Sequence, residues 1–245
     1  MRALTGLLLC AACAAPDTAP EPVPYPATFS ILGHDPETGE VGAAVASRVF
    51  SVGNGVIWAE AGAGAVATQA YVDVSYGPKG LALLRAGKSA EEVVAALLEQ
   101  DPDPRPRGWP KAARQVAVLD AHGNLAAHTG EKATDWAGSA QGEHCSAQGN
   151  ILAGEEVVQA MVKAFEATEG HLSQKLVAAL AAGEAAGGDT RGKQSAALLV
   201  VKQDGGWWLN QDVVFRLQVD DSEEPVRELS RLVEMGVSML RRYRR

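Results

Sequence analysis

Residues 28–47, TFSILGHDPETGEVGAAVAS, decide the fold. Thr28-Phe29-Ser30-Ile31-Leu32-Gly33 is rich in β-branched and aromatic residues and predicts a strand. Residues 34–40 read as a turn, because Pro36 follows Asp35 and Gly39 closes it. Val41 to Ser47 runs back as a strand of small residues, so the body opens on a hairpin.

Downstream, Val56 to Glu60 and Ala65 to Ala70 give two more short strands around Gly62-Ala63-Gly64. A helix follows from Tyr76 to Ala86, with Pro78 in its first turn and Gly87 as its stop. Ser89 and Glu92 form a capping box for a second helix reaching about Gln100. Residues 101–110 are a Pro-rich loop, and Arg114 to Asp120 with Asn124 to His128 predict a second hairpin. A strand over Cys145 to Ile151 precedes helices at 154–168 and 171–186. Ser195 to Lys202 is an apolar strand, Val213 to Val219 another, and Glu223 to Tyr243 a closing amphipathic helix. Strand runs alternating with helix pairs predict α+β layers, not βαβ units on a parallel sheet.

Upstream, Arg2 precedes an apolar run ending near Ala12, which has the length of an export signal and is too short to span a bilayer. Two cleavage readings stand side by side. Ala11-Ala12-Cys13 resembles a lipobox that would lipidate Cys13, whereas Ala12-Cys13-Ala14 resembles an ordinary secretion site. The expected divisions are an export signal over 1–13, a Pro-rich tether over 14–27 and a single domain over 28–245. The protein is then a cell-envelope lipoprotein, or periplasmic or secreted, and meets membrane only through the lipid anchor.

A net charge of −8, with the one basic cluster at Arg241-Arg242-Tyr243-Arg244-Arg245, argues against nucleic-acid binding. Only Cys145 lies in the body, so no internal disulfide is expected. The five His show no zinc spacing, so neither metal nor cofactor is expected. Gly62 to Ala67 matches G-x-G-x-x-A, but β-branched residues follow where a dinucleotide fold needs a helix. Gly187 to Lys193 matches G-x-x-x-x-G-K, but Gln194 replaces the magnesium-binding hydroxyl and the strand comes after the helix, not before it. Asp189, Arg191 and Gln194 form a dense polar set there. The bland reading is a satisfied turn, and the sharper one is a substrate-binding loop. Cys145 beside His144 lacks any thiol-protease signature and reads as a buried structural residue.

Thr28 is the chemically interesting position. As a strand-opening Thr it is ordinary. With the Ala27–Thr28 bond cut, it would carry its own general base, an α-amino group with a reference pKa of about 7.7–8.0.

The stretches TFSILGHDPETGEVGAAVASR, GAVATQAYV, YGPKGL, HTG, WAG, QGNILAG and GDTRGKQSAALLVV resemble the domain of unknown function 1028 family, over about Ala27 to Asp221. That family is grouped with the N-terminal nucleophile (Ntn) hydrolases. The resemblance implies a four-layer αββα sandwich, with two stacked antiparallel sheets flanked by helices and the nucleophile at the start of the first strand. Thr28 is the matching position, Arg48 falls where relatives place active-site support, and Gly64 closes the turn that would offer an N–H to the oxyanion. No lysine lies between Arg48 and Ala61, where proteasome-like enzymes keep one. The implied activity is an exported amidohydrolase cleaving a small amide or peptide bond. The alternative is a catalytically silent module of the same fold, tethered at the envelope and binding a ligand or partner. Assembly into homo-oligomers is a further expectation of the resemblance.

Overall fold

The protein is described by a computed structural model over residues 27–243. The export-signal reading, Cys13 and all of the tether except Ala27 lie outside the described residues. The described chain is a mixed α+β structure with two antiparallel sheets and five α-helices.

The opening hairpin forms as its sequence predicts: β1 (Thr28–Asp35) and β2 (Glu40–Ser47) pair from Thr28↔Ser47 at one end to Asp35↔Glu40 at the other. Asp35 closes the turn by accepting the backbone N–H groups of Glu37 and Thr38. The four-stranded sheet is built from β3 (Ile57–Glu60), β4 (Gly64–Ala70), β5 (Arg114–Asp120) and β6 (Leu125–Thr129), in that order. The six-stranded sheet adds β7 (Trp136–Gln141), β8 (Cys145–Leu152), β9 (Ser195–Val201) and β10 (Val213–Val219), in the order β10-β9-β2-β1-β8-β7. The sequence reading lacked β7. Its WAGSAQ stretch has weak strand propensity, and pairing along β8 from Leu152 to Ser146 supplies the order that propensity does not.

Period-two alternation sorts the side chains into three apolar clusters. On β1, Phe29 and Ile31 pack with α3 (Glu155–Ala167), α4 (Leu172–Ala185) and α5 (Pro225–Tyr243). Leu32 joins Val45, Ala67, Ala117, Leu119 and Leu199 in a second cluster drawn from both sheets. On β5, Val116 and Val118 turn the other way, onto Tyr76, Leu81, Val93 and Leu97 of α1 (Tyr76–Arg85) and α2 (Ala90–Glu99). The strand β9 is apolar throughout because both of its faces are covered: Leu198 and Val200 meet the helices, Leu199 and Val201 the second sheet. Alanines at positions 43, 65, 67, 117 and 197 let the sheets pack with few large side chains between them.

The helix ends follow the predicted chemistry. Ser89 accepts the N–H of Glu92, while the Glu92 carboxylate accepts that of Ser89, completing the capping box. Gly87 ends α1 with φ +82°. Where α1 meets β3, Gly77 lies against the Trp58 indole, and a Cβ there would sit 2.3 Å from the ring. No helix among the described residues is long and apolar enough to cross a membrane.

Candidate functional site

The polar residues that interrupt these strands converge at one end of the β1–β2 hairpin. Thr28 is 1% exposed. Its Oγ1 lies 3.2 Å from the Ser47 Oγ, directly across the hairpin. Ser47 in turn donates its hydroxyl to the carbonyl oxygen of Ala27. A hydroxyl has one proton, so Thr28 is the donor in the Thr28–Ser47 contact. The residue before the candidate nucleophile and the nucleophile itself thus share one partner.

A second donor reaches the same carbonyl from the loop after α4. Arg191 Nη2 lies 2.9 Å from the Ala27 oxygen. Asp189 holds that guanidinium, with its Oδ1 3.1 Å from Arg191 Nε and its Oδ2 2.8 Å from Nη2. Such a fork fixes direction as well as charge. The Asp189 carboxylate also accepts the backbone N–H groups of Arg191 and Arg48, at 2.9 Å each. The loop is pinned to β8 through Thr190, whose N–H and hydroxyl both meet the carbonyl of Ile151.

On the other side, Thr28 faces a buried amide network. Gln69 Nε2 donates to the Thr28 carbonyl at 3.3 Å and to Gln115 Oε1 at 2.8 Å. Gln115 Nε2 donates to Gly149 O at 2.8 Å. Ser30 donates to Gln69 and receives from Gln148, both at 2.6 Å. These bonds tie the two sheets together beneath Thr28. They are expensive to leave unmade in a buried site, so they fix side-chain positions.

Backbone strain gathers at the same place. Ser51, Ala70 and Ile151 all have left-handed φ, at +53°, +62° and +54°. A β-branched residue such as Ile151 is especially costly there, at about 1–3 kcal/mol. Ser51 and Ala70 line a cavity of about 180 Å³ that Thr28 also lines. Ile151 follows Asn150, the cross-strand partner of Thr28 on β8. Strain of this kind persists where surrounding structure over-determines it, as at active sites.

The sequence-predicted residues are not all assembled here. Thr28, Asp189 and Arg191 converge on Ala27. Arg48 supplies its backbone to Asp189, but its exposed guanidinium bonds Gln194 Oε1 at 2.9 Å, away from Thr28. The Gln194 side chain is also bound to Asp221 at 3.1 Å, while its backbone N–H meets the Ser47 carbonyl at 3.0 Å. Gly64 is a correction. It opens β4 opposite Asp120, whereas Thr28 meets Gln69 near the other end of that strand. Five residues of strand separate them by about 17 Å, so the Gly62–Gly64 turn offers no N–H to Thr28. Cys145 is fully buried, and burial, helped by the Glu166 carboxylate, pushes its thiol up to about 12. It is not a thiolate at neutral pH.

Sequence reading missed Ser47 and Gln69. The signal was present, since Ser47 closes and Gln69 interrupts a strand of small apolar residues. Their partners, however, lie far off in sequence, and only pairing reveals them.

The family model described as a family of unknown function (DUF1028) matches residues 28–229. The crystal structure of protein SPO2555 from Silicibacter pomeroyi matches with a TM-score of 0.75 and 35% sequence identity. The alignment covers 86% of this chain and 89% of that one. A search of curated proteins finds no match. Over nearly all of its described body, beginning at Thr28 itself, the chain belongs to the DUF1028 family.

Proposed function

We propose that this protein is an Ntn-type amidohydrolase with Thr28 as nucleophile, on a four-layer αββα sandwich. One observation carries the reading: two donors, Ser47 and Arg191, hold the carbonyl oxygen immediately before Thr28. Donors on a carbonyl oxygen favour the negative charge that develops when a nucleophile adds to its carbon. The three apolar clusters, with helices packed outside each sheet, support the fold reading.

In the described chain Thr28 follows Ala27 and is therefore an amide. In the proposed maturation, Thr28 Oγ1 adds to the Ala27 carbonyl carbon while its proton passes toward Ser47. The Ala27–Thr28 C–N bond breaks as an ester forms, and the nitrogen takes a proton to become the α-amino group. Water hydrolyses the ester, releasing Ala27 as a carboxylate and restoring the Thr28 hydroxyl. The freed amine then serves as base for a substrate amide. Thr28 takes the acyl group, the substrate amine departs with the proton, and water regenerates the hydroxyl. Arg191, steered by Asp189, and Ser47 would hold the substrate oxygen where they now hold that of Ala27.

Export remains part of the proposal, with Cys13 lipidated or the segment removed by secretion. The test is to incubate the purified protein with a panel of small N-acyl amides and look for an acyl adduct by peptide mass spectrometry. An adduct on Thr28, absent from Thr28→Ala, supports the reading. Amide cleavage undiminished in Thr28→Ala excludes it. The silent binding module is the outcome in which no amide is cleaved and Ala27 stays attached.

A further inference from the structure

Resting on that reading, the walls around Thr28 also specify what the substrate carries. The cavity of about 180 Å³ beside Thr28 is lined by Val49, Phe50, Val52, Val56 and Val72, together with the buried Gln69. No ionisable side chain lines it. Val52 and Val56 are buried, whereas Phe50 is 69% exposed. Val74, which a Cβ on the lining residue Gly55 would meet at 3.2 Å, is 51% exposed. Apolar side chains left in water at the mouth of an apolar hole are what an apolar ligand group would cover.

The wall is built rigidly. Ser195 Oγ donates to Val49 O at 2.6 Å and receives the N–H of Val52 at 3.0 Å. Ser51 Oγ is fixed to Asp220 at 2.6 Å and holds its left-handed backbone between them. A preformed cavity needs little ordering on binding. The neighbouring cavity, on the Ser47 side, differs. It is lined by Glu184, Asp189 and Lys193, whose charges are already committed: Lys193 to Glu184 and Glu224, Asp189 to Arg191. The two sides of the Thr28–Ser47 pair therefore differ in polarity.

We propose that the cavity beside Thr28 is the specificity pocket, and that it takes a branched aliphatic side chain or acyl group of the amide substrate. Charged groups are rejected there, because desolvating them has no compensating partner.

The test uses the purified protein with isovaleramide, acetamide and succinamate as probes, followed by NMR titration. Isovaleramide is expected to bind at least about tenfold more tightly than acetamide, which lacks three of its carbons. Succinamate, of similar size but charged, is expected not to bind. Val72→Glu and Val49→Glu, in the segments after β4 and after β2, should each weaken isovaleramide about tenfold or more, and the protein's own NMR dispersion reports whether each variant is folded. Succinamate binding as tightly as isovaleramide, or folded glutamate variants that bind isovaleramide undiminished, would overturn the proposal. Amide cleavage with no aliphatic preference removes the pocket and leaves the nucleophile. Aliphatic binding without cleavage of any amide removes the nucleophile and leaves the pocket.

Discussion

Arg191 donates to the carbonyl oxygen of Ala27 at 2.9 Å, across 164 positions of sequence. That contact joins the loop after α4 to the residue preceding the first strand. Asp189, whose side chain is 1% exposed, holds the guanidinium in that direction.

Removing the steering should therefore matter as much as removing the charge. Asp189→Asn and Arg191→Met are each expected to slow release of Ala27 from Thr28 by about 10²–10³, the range for losing one preorganised donor. Arg191→Lys keeps the charge but not the fork to Asp189, and should fall between them and the wild type. Time courses of intact mass measure all three.

The buried Cys145 thiol makes a chemical prediction. With its pKa pushed up to about 12, it should resist iodoacetamide at neutral pH in the folded protein and react once urea unfolds it. Rapid labelling at Cys145 itself in the native chain, located by peptide mass spectrometry, would reopen it as a nucleophile.

A buried ionic knot clamps the second sheet to its helices. Asp101 Oδ2 meets Arg114 Nε at 3.0 Å and the Tyr76 hydroxyl at 2.8 Å. Burial alone would raise the Asp101 carboxyl. The Asp103 N–H, Tyr76 and Arg114 outweigh it and hold the group below the usual carboxylate range. A depressed folded-state pKa contributes stability that is present above the unfolded value, near pH 4, and is lost as pH falls through the folded one. Chemical denaturation of the wild type should show that loss below about pH 4. Asp101→Ala leaves Arg114 buried without its carboxylate and should cost about 3–5 kcal/mol at pH 7.

At Gly77, any side chain meets the Trp58 indole. Gly77→Ala should destabilise by about 1–3 kcal/mol through overpacking, although alanine is the better helix former. Thermal melts decide which effect wins, and an increase in stability would contradict the packing described.

The strands with strong local signals were legible in the sequence: β1, β2, β5, β9 and β10 fall within about two residues of their predicted ends. The capping box at Ser89 and the stop at Gly87 were legible for the same reason, since both are local chemistry. WAGSAQ was not, because β7 owes its order to β8 and not to its own residues. At the candidate site, Thr28, Asp189 and Arg191 could be picked out as unusual. That Arg191 closes on Ala27, and that Arg48 turns outward to Gln194, depends on contacts between distant segments. Gly64 was misplaced because a turn motif says nothing about which end of the sheet it occupies.

The proposed chemistry requires Thr28 to become the N-terminus. Intact mass and N-terminal sequencing of the purified wild type and Thr28→Ala proteins test it most directly. The expected result is a wild-type chain beginning at Thr28 and a Thr28→Ala chain that retains Ala27. A wild-type chain that keeps Ala27 attached to Thr28, identical in processing to the variant, would contradict it.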